Sequence, residues 1–504
     1  MWLTDNERKD VTTHDELDIG FTSPVPTQIV SNGEYNPMPQ SEQQKKVEAR
    51  IKELADQYAH KLNMDRRKFL KTSSGMALAF LAMNQVFGPV WDVSEAEAAD
   101  IDLSNERAKA LKKQFIFDDQ THFVRDDFDK EGLLGLGKYA AEHWNPDMLK
   151  DMPLVLQRYK FQNYLKEIYL DSDTKVALLS SAPFDDPEWY LLFNDQLVQA
   201  REAINKVAGS RRMFAHTVVT PGQGDWLNDQ VERGIAEFKP DSWKCYTIGD
   251  PLAPSTRGTA WRLDDEKLVY PWYERAVKAG INTICIHKGL LPRDYEQSWP
   301  GVWKHATVDD VLKAAKDWPQ LNFVIYHGAL RMFLEDPQPT LDQFERTGRI
   351  DWTTDVCDLA TKHGLKNVYA ELGTTFATCA VASPRLAAAM VGQFVNEMGA
   401  DHVVWGTDSV WYGSPQWQIE AMRRLEVPDD IMKKMGWKTK LGGPDSKVKR
   451  MIFGENSARV YNYRIRAEYE DLSRDQLAQM KQIYENEGVE RNNVAYGYVH
   501  KRSA

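Results

Sequence analysis

Four short apolar runs in this chain each stop at a side chain that can hold a metal ion or move a proton. FIFDDQTHFV carries Asp118 and His122, NTICIHKG carries His287, NFVIYHGA carries His327, and HVVWGTDS carries Asp408. A neutral imidazole nitrogen or a carboxylate oxygen binds a divalent cation, and such a cation brings the ionisation of water down to near neutral pH. Core strands do not ordinarily close on His and Asp, because an unpaired polar group at the end of an apolar run is costly to bury. One such residue reads as a satisfied polar group. Four of them read as ligands that a fold has to gather from distant stretches of sequence.

The elements that would gather them alternate. From about residue 112, strand-like and helix-like segments follow one another as βα units do around a parallel sheet. The patterning predicts strands at 115–122, 175–181, 213–220, 242–248, 281–287, 322–327, 367–373 and 403–408, with helices at 188–208, 226–238, 266–279, 307–317, 351–364 and 383–399. Eight strands imply an α/β fold, a closed (β/α)8 TIM barrel, with its reactive residues at the carboxyl ends of the strands. Insertions are expected at 125–170, 288–306 and 328–350, on the face that shapes a substrate pocket. Trp226, Trp243, Trp261, Trp405 and Trp411 fall beside strand ends, and Trp299 and Trp303 fall in an insertion. They would suit an aromatic-walled pocket, although burial in the core is the commoner fate of any single Trp.

At 504 residues with 42% hydrophobic content, the chain can bury one large catalytic domain with extensions. A net charge of −11, with no Lys/Arg stripe, excludes a nucleic-acid binder and leaves a small-molecule substrate as the partner class. Cys245, Cys285, Cys357 and Cys379 form no CxxC pair, so they read as buried free thiols.

The first hundred residues differ from the rest. Residues 1–64 read as a polar lead, disordered to about residue 40, with a short amphipathic helix at 41–62 through Val47, Ile51, Leu54 and Tyr58. Within 65–99, Arg66-Arg67, Phe69-Leu70-Lys71, an apolar run from Met76 to Trp91 and Ala96-Glu97-Ala98-Ala99 resemble a twin-arginine export signal cleaved after Ala98 or Ala99. That implies the twin-arginine machinery as a partner and a periplasmic or otherwise exported protein. A surface helix entered by a basic turn is the competing reading, and the pair sits unusually far from the terminus for a signal. The apolar run is broken by Asn84, Gln85 and Pro89 and is too short for a permanent membrane span. Residues 464–504 form an extension with a helix opened by Ser473, placed to cover the barrel's bottom or to meet another subunit in a homo-oligomer.

DDQTHFV, the two strand-end histidines, WGTDSVW and the closing MIFGENSARVYNY resemble the amidohydrolase superfamily, in its amidohydrolase-related branch of metal-dependent hydrolases and decarboxylases. The likeness covers roughly residues 112–463, the barrel segment in a chain divided as 1–64, 65–99, 100–463 and 464–504. The family's first strand carries Asp-x-His-x-His, whose alternation points both histidines into the barrel mouth. Here it reads Asp118-Asp119-Gln120-Thr121-His122, so Gln120 stands where a metal-binding histidine is expected. An amide oxygen is a weaker, harder ligand than imidazole. The resemblance implies a metal held by His122 and His287, with Gln120 and a carboxylate from Asp118 or Asp119 filling the weakened place. Asp408 would be a ligand or the base, and His327 a further ligand or general acid/base. It implies one divalent ion, zinc first, with manganese or iron as alternatives. Lys244 on the fourth strand, where binuclear members carry a carboxylated lysine, reads as an unmodified Lys pairing with substrate or with Glu371. Glu371 would orient a ligand or touch substrate, and His216, in the middle of the third strand, reads as a core residue or as a support behind the ligands.

The implied reaction is hydrolysis of a carbonyl or related C–N or C–O bond by a metal-activated water, with Asp408 or His327 taking the proton. The alternative is non-oxidative decarboxylation of an aromatic or enoic acid, with Arg125, Arg257 and Arg293 as candidates to grip the carboxylate. A third reading is an exported, non-catalytic barrel with an eroded metal site.

Overall fold

The computed structural model describes residues 11–13, 23–32, 34–35, 37–125, 127, 159–185, 188, 190–250, 259–291, 296, 300–333, 336–465, 469, 472–488, 491, 493 and 495–500. Eight strands lie in sequence order in one parallel sheet: β1 (Phe117–Thr121), β2 (Val176–Leu179), β3 (Met213–Val218), β4 (Ser242–Tyr246), β5 (Thr283–His287), β6 (Asn322–Tyr326), β7 (Val368–Glu371) and β8 (Val403–Val404). The ring closes where Thr121 bridges Ser409, the Asp119 amide donates to the Trp405 carbonyl at 2.8 Å, and the Asp408 amide donates to the Gln120 carbonyl at 2.8 Å. The (β/α)8 barrel expected from the sequence is the fold. Runs such as TICIH and VALL are buried at every position, as strands covered on both faces require.

Among the helices that precede the barrel are α1 (Glu42–Lys61), α2 (Ser73–Phe87) and α3 (Ile101–Leu111). Around and after it come α4 (Asn194–Ala208), α5 (Tyr270–Ala279), α6 (Val311–Asp317), α7 (Thr353–Thr361), α8 (Pro384–Gln393), α9 (Gln416–Arg424) and α10 (Gln476–Glu487). Gly209 and Gly280 end α4 and α5 in the left-handed conformation, where a side chain would be strained.

The N-terminal region is built into this body. Ser41 and Gln44 form a capping box that starts α1, whose Val47, Ile51 and Leu54 are buried as their spacing predicts. α2 buries every residue from Ser74 to Met83, and Phe80 packs on Trp91, which itself bridges to Leu425. Arg424 at the end of α9 pairs with Glu97 at 2.5 Å and lies over the Phe80 ring. The first half of the run read as a signal's apolar stretch, from Met76 to Met83, is therefore interior in this fold. The expectation of a disordered lead is corrected for residues 23–32 and 37–40: Val25, Ile29 and Met38 are buried, as is Tyr35, whose hydroxyl donates to the Val30 carbonyl at 2.6 Å and lies 3.0 Å from Thr378 Oγ1. The segment lacks an apolar period because it is an irregular strap rather than a helix or strand. Among the described residues no helix is long and apolar enough to cross a membrane.

The opposite end of the barrel is plugged. Phe117, Val176, Phe214, Cys285 and Val324 pack with Val460, Tyr461, Tyr463 and Leu472 from the closing segment. Arg212, just before β3, pairs with Asp475 at 2.5 Å and donates to the Leu472 carbonyl at 2.6 Å. Asp475 also caps α10, so that helix opens two residues later than Ser473 suggested. The C-terminal extension thus covers the barrel's bottom. All four cysteines are free and buried. Trp243 and Trp405 are fully buried, and Trp226, Trp261 and Trp411 nearly so, which makes them core residues. Trp299, Arg257, Arg293 and most of the 125–170 insertion lie outside the described residues.

Candidate metal centre

The carboxyl ends of the strands deliver the chemistry. His287 ends β5, His327 follows β6, Glu371 ends β7, Asp408 follows β8, His122 follows β1, and β4 carries Lys244 and Tyr246. The Tyr246 ring stacks on His287 with centroids 4.3 Å apart, and the His287 and His327 rings meet edge to face at 4.7 Å. His327 Nδ1 lies 3.2 Å from the Gly373 carbonyl. A carbonyl can only accept, so Nδ1 carries the proton and the Nε2 lone pair is left facing the mouth. Neither ring nitrogen of His287 has a hydrogen-bond partner, nor does His327 Nε2, although all are buried. Buried nitrogens without partners are rare, and a metal ion would satisfy them.

The third group comes from the N-terminal strap. Glu34 Oε1 lies 3.4 Å from His287 Nδ1, and Oε2 lies 3.9 Å from His327 Nε2. Donor atoms of Glu34, His287 and His327 fall within 4.8 Å of one another, a grouping that could hold a metal ion. Tyr246 OH donates to Glu34 Oε1 at 3.0 Å and Asn32 Nδ2 to Oε2 at 2.7 Å. The same Asn32 nitrogen reaches Asp408 Oδ2 at 2.7 Å. Asp408 also accepts from Thr374 Oγ1 at 2.5 Å, and its Oδ1 lies 2.9 Å from His122 Nε2. Thr374 in turn accepts from Tyr412 OH at 2.9 Å.

Backbone strain collects here. His327, Ala329, Thr374 and Asp408 hold φ of 64°, 51°, 49° and 57°, in the left-handed region that non-glycine residues avoid. Glu371 supports part of it by accepting from the His327 amide at 2.9 Å and the Gly373 amide at 2.5 Å. That carboxyl fits only because position 406 is glycine, where a Cβ would lie 1.7 Å from Glu371 Oε1.

Burial sets the charges. It drives His287 well below the usual imidazole range and His327 down to about 3, so both are neutral. Burial also opposes ionisation of Asp408, but the His122 hydrogen bond and charge outweigh it and hold the carboxyl below its ordinary value. Glu34 is pushed up to about 8, by burial and then by the Asp408 charge. Glu371 is likewise pushed up to about 8 by burial, and burial brings Lys244 down to about 8. Neutral imidazoles beside crowded carboxyls are the donor set that a divalent cation fits.

Of the residues read from the sequence, His287 and His327 meet at this centre, and His122 and Asp408 form the pair beside it. Gln120 stays close, its Nε2 3.4 Å from His122 Nε2. Asp118 is corrected as a ligand. Its Oδ1 accepts from the Thr407 amide at 3.0 Å and its Oδ2 from Thr407 Oγ1 at 2.5 Å, so it clasps β1 to the segment after β8. The expected Lys244–Glu371 pair is also absent from the hydrogen bonds: Lys244 Nζ sits 3.6 Å over the Tyr326 ring with no hydrogen-bond partner. Glu371 accepts from the His327 amide, and His216 lies between Ser242 and Tyr326. Arg125 donates to the Glu188 carbonyl at 3.0 Å. Glu34 is the residue that sequence reasoning missed. Only the shortfall at Gln120 hinted that another carboxylate was needed.

A family profile described as amidohydrolase matches residues 210–463. No curated protein matches the chain. Among solved structures, an uncharacterized TIM-barrel protein from Bordetella bronchiseptica is 12% identical, covers 69% of this chain and 98% of its own, and superposes with a TM-score of 0.43. A dihydroxybenzoic acid decarboxylase from Polaromonas with bound manganese and 2-nitroresorcinol is 14% identical, with coverage of 69% and 97% and a TM-score of 0.40. A probable 2-pyrone-4,6-dicarboxylic acid hydrolase from Acinetobacter baumannii is 11% identical, with coverage of 69% and 99% and a TM-score of 0.35.

Proposed function

Since the chain belongs to the amidohydrolase family, whose profile spans residues 210–463, we propose that it is a metal-dependent hydrolase of a small carbonyl compound with Asp408 as its base. The observation that carries this reading is the convergence of His287, His327 and Glu34 on one point, beside the His122–Asp408 pair. A divalent ion held there, zinc by preference with manganese or iron as alternatives, would polarise a substrate oxygen and acidify a neighbouring water. Asp408 accepts the proton of the attacking water. Asn32 and Thr374 fix one of its oxygens while His122 Nε2 lies against the other, so the carboxylate keeps its aim. His327 is held by Gly373 and Glu371 as a ligand and does not turn away to shuttle protons.

Decarboxylation is the second reading, and Lys244 favours it. Its Nζ is a buried cation without a hydrogen-bond partner near Glu34 and Glu371, suited to grip a substrate carboxylate. Zinc, manganese and iron analysis of purified protein tests the metal. Asp408→Asn should then lower kcat by about 100-fold or more in whichever assay, hydrolysis or carbon dioxide release, the wild type supports. Wild-type protein that holds no metal after reconstitution, or a variant at wild-type rate, ends the hydrolase reading.

Export is a separate proposal. Arg66 and Arg67 lie on a short helix at the surface, where the twin-arginine machinery could meet them. Cell fractionation tests it, and sedimentation tests self-association.

A further inference from the structure

We propose that Glu34 takes the ligand place that Gln120 cannot fill, which makes the N-terminal strap a permanent part of the active site rather than part of a removable leader. The inference rests on the metal reading above and adds to it which part of the chain completes the site. Gln120 offers the metal only an amide, and that amide leans on His122. Glu34 reaches the same mouth from the strap and lies against His287 and His327, with its two oxygens oriented by Tyr246 and Asn32. The Glu34 amide donates to Asn32 Oδ1 at 3.0 Å, so the two side chains are set by one tight turn. Two imidazoles with the carboxylates of Glu34 and Asp408 balance the charge of a divalent ion. The strap therefore does by tertiary contact what the family's first strand does by sequence.

A cut after Ala98 or Ala99 would remove this ligand and also Asn32, which holds Asp408. It would strip α2 from the protein as well, leaving the buried Arg424 guanidinium without Glu97. Such a product would bind metal weakly.

The test uses full-length protein and zinc alone. Zinc affinity is measured by competition with a chromogenic chelator for wild type and for Glu34→Gln, and melting midpoints are taken with zinc and after chelation. Glu34→Gln should weaken zinc binding by about 100-fold or more, and its melting deficit should appear only in the zinc-loaded proteins. An equal affinity in the variant, or a deficit of the same size after chelation, overturns the inference while leaving the hydrolase reading intact. Wild-type protein with no zinc affinity overturns both. Intact mass of the protein purified from its own cells gives a second readout. A chain beginning at or after Ala99 with full metal content would show that Glu34 is dispensable, whereas a chain retaining Glu34 is the expected result.

Discussion

Gly406→Ala is the sharpest probe of how the fold holds its metal ligands. A Cβ at 406 would stand 1.7 Å from Glu371 Oε1 and 2.7 Å from its Cδ, where ordinary contact starts near 3.4 Å. The carboxyl would have to withdraw by roughly 1.7 Å, inside a core that gives it no exposed route. That breaks its bonds to the His327 and Gly373 amides. Each buried N–H left unsatisfied costs about 1–3 kcal/mol, so the expected loss is about 2–6 kcal/mol. His327, whose left-handed backbone depends on one of those bonds, should lose its aim, and zinc affinity should fall with stability. The assay is guanidinium unfolding of chelated protein followed by Trp fluorescence, run as a double-mutant cycle with Glu371→Ala. Since the clash partner is gone in the Glu371→Ala background, adding Gly406→Ala there should cost almost nothing. A single variant within about 0.5 kcal/mol of wild type, or penalties that simply add, would refute the reasoning.

Arg212→Ala should cost about 3–5 kcal/mol by leaving Asp475 buried beside no cation, yet leave zinc affinity unchanged because the pair lies at the other end of the barrel; a fall in zinc affinity would contradict that separation. Lys449 is fully buried, donates to the Arg423 carbonyl at 2.7 Å and is driven by burial down to about 7. The unfolded chain keeps that proton to near 10.5, so between these values it binds more protons than the folded chain, and stability rises with pH by up to about 1.4 kcal/mol per unit. Lys449→Met removes the slope, and its stability relative to wild type should be greater at pH 7 than at pH 9. An equal gap at both would show that Lys449 ionises normally.

Much of the fold was legible because its signals are local. All eight strand positions could be read from apolar runs bounded by turns, since a parallel strand covered on both faces needs continuous Val, Ile, Leu and Phe whatever surrounds it. The helix at 42–61 followed from the spacing of Val47, Ile51, Leu54 and Tyr58. His287, His327 and Asp408 were legible for the same reason, each standing where a strand stops. The strap was not legible. Its burial depends on a surface made by distant residues, so residues 23–40 show no apolar period, while α2 shows the apolar composition that an export signal also has.

Sequence by itself determined the barrel, the family resemblance and the shortfall at Gln120, because strand order and the strand-end ligands are written in consecutive residues. Only the tertiary structure decided which carboxylates do what. Asp118, one of the two carboxylates that the resemblance offered as a ligand, instead accepts from the Thr407 amide and hydroxyl and clasps β1 to the segment after β8. Glu34, far from every motif, lies against His287 and His327 because the chain folds back across the barrel mouth. Ligation depends on distances of a few ångströms, and those are set by packing between segments that no local pattern connects.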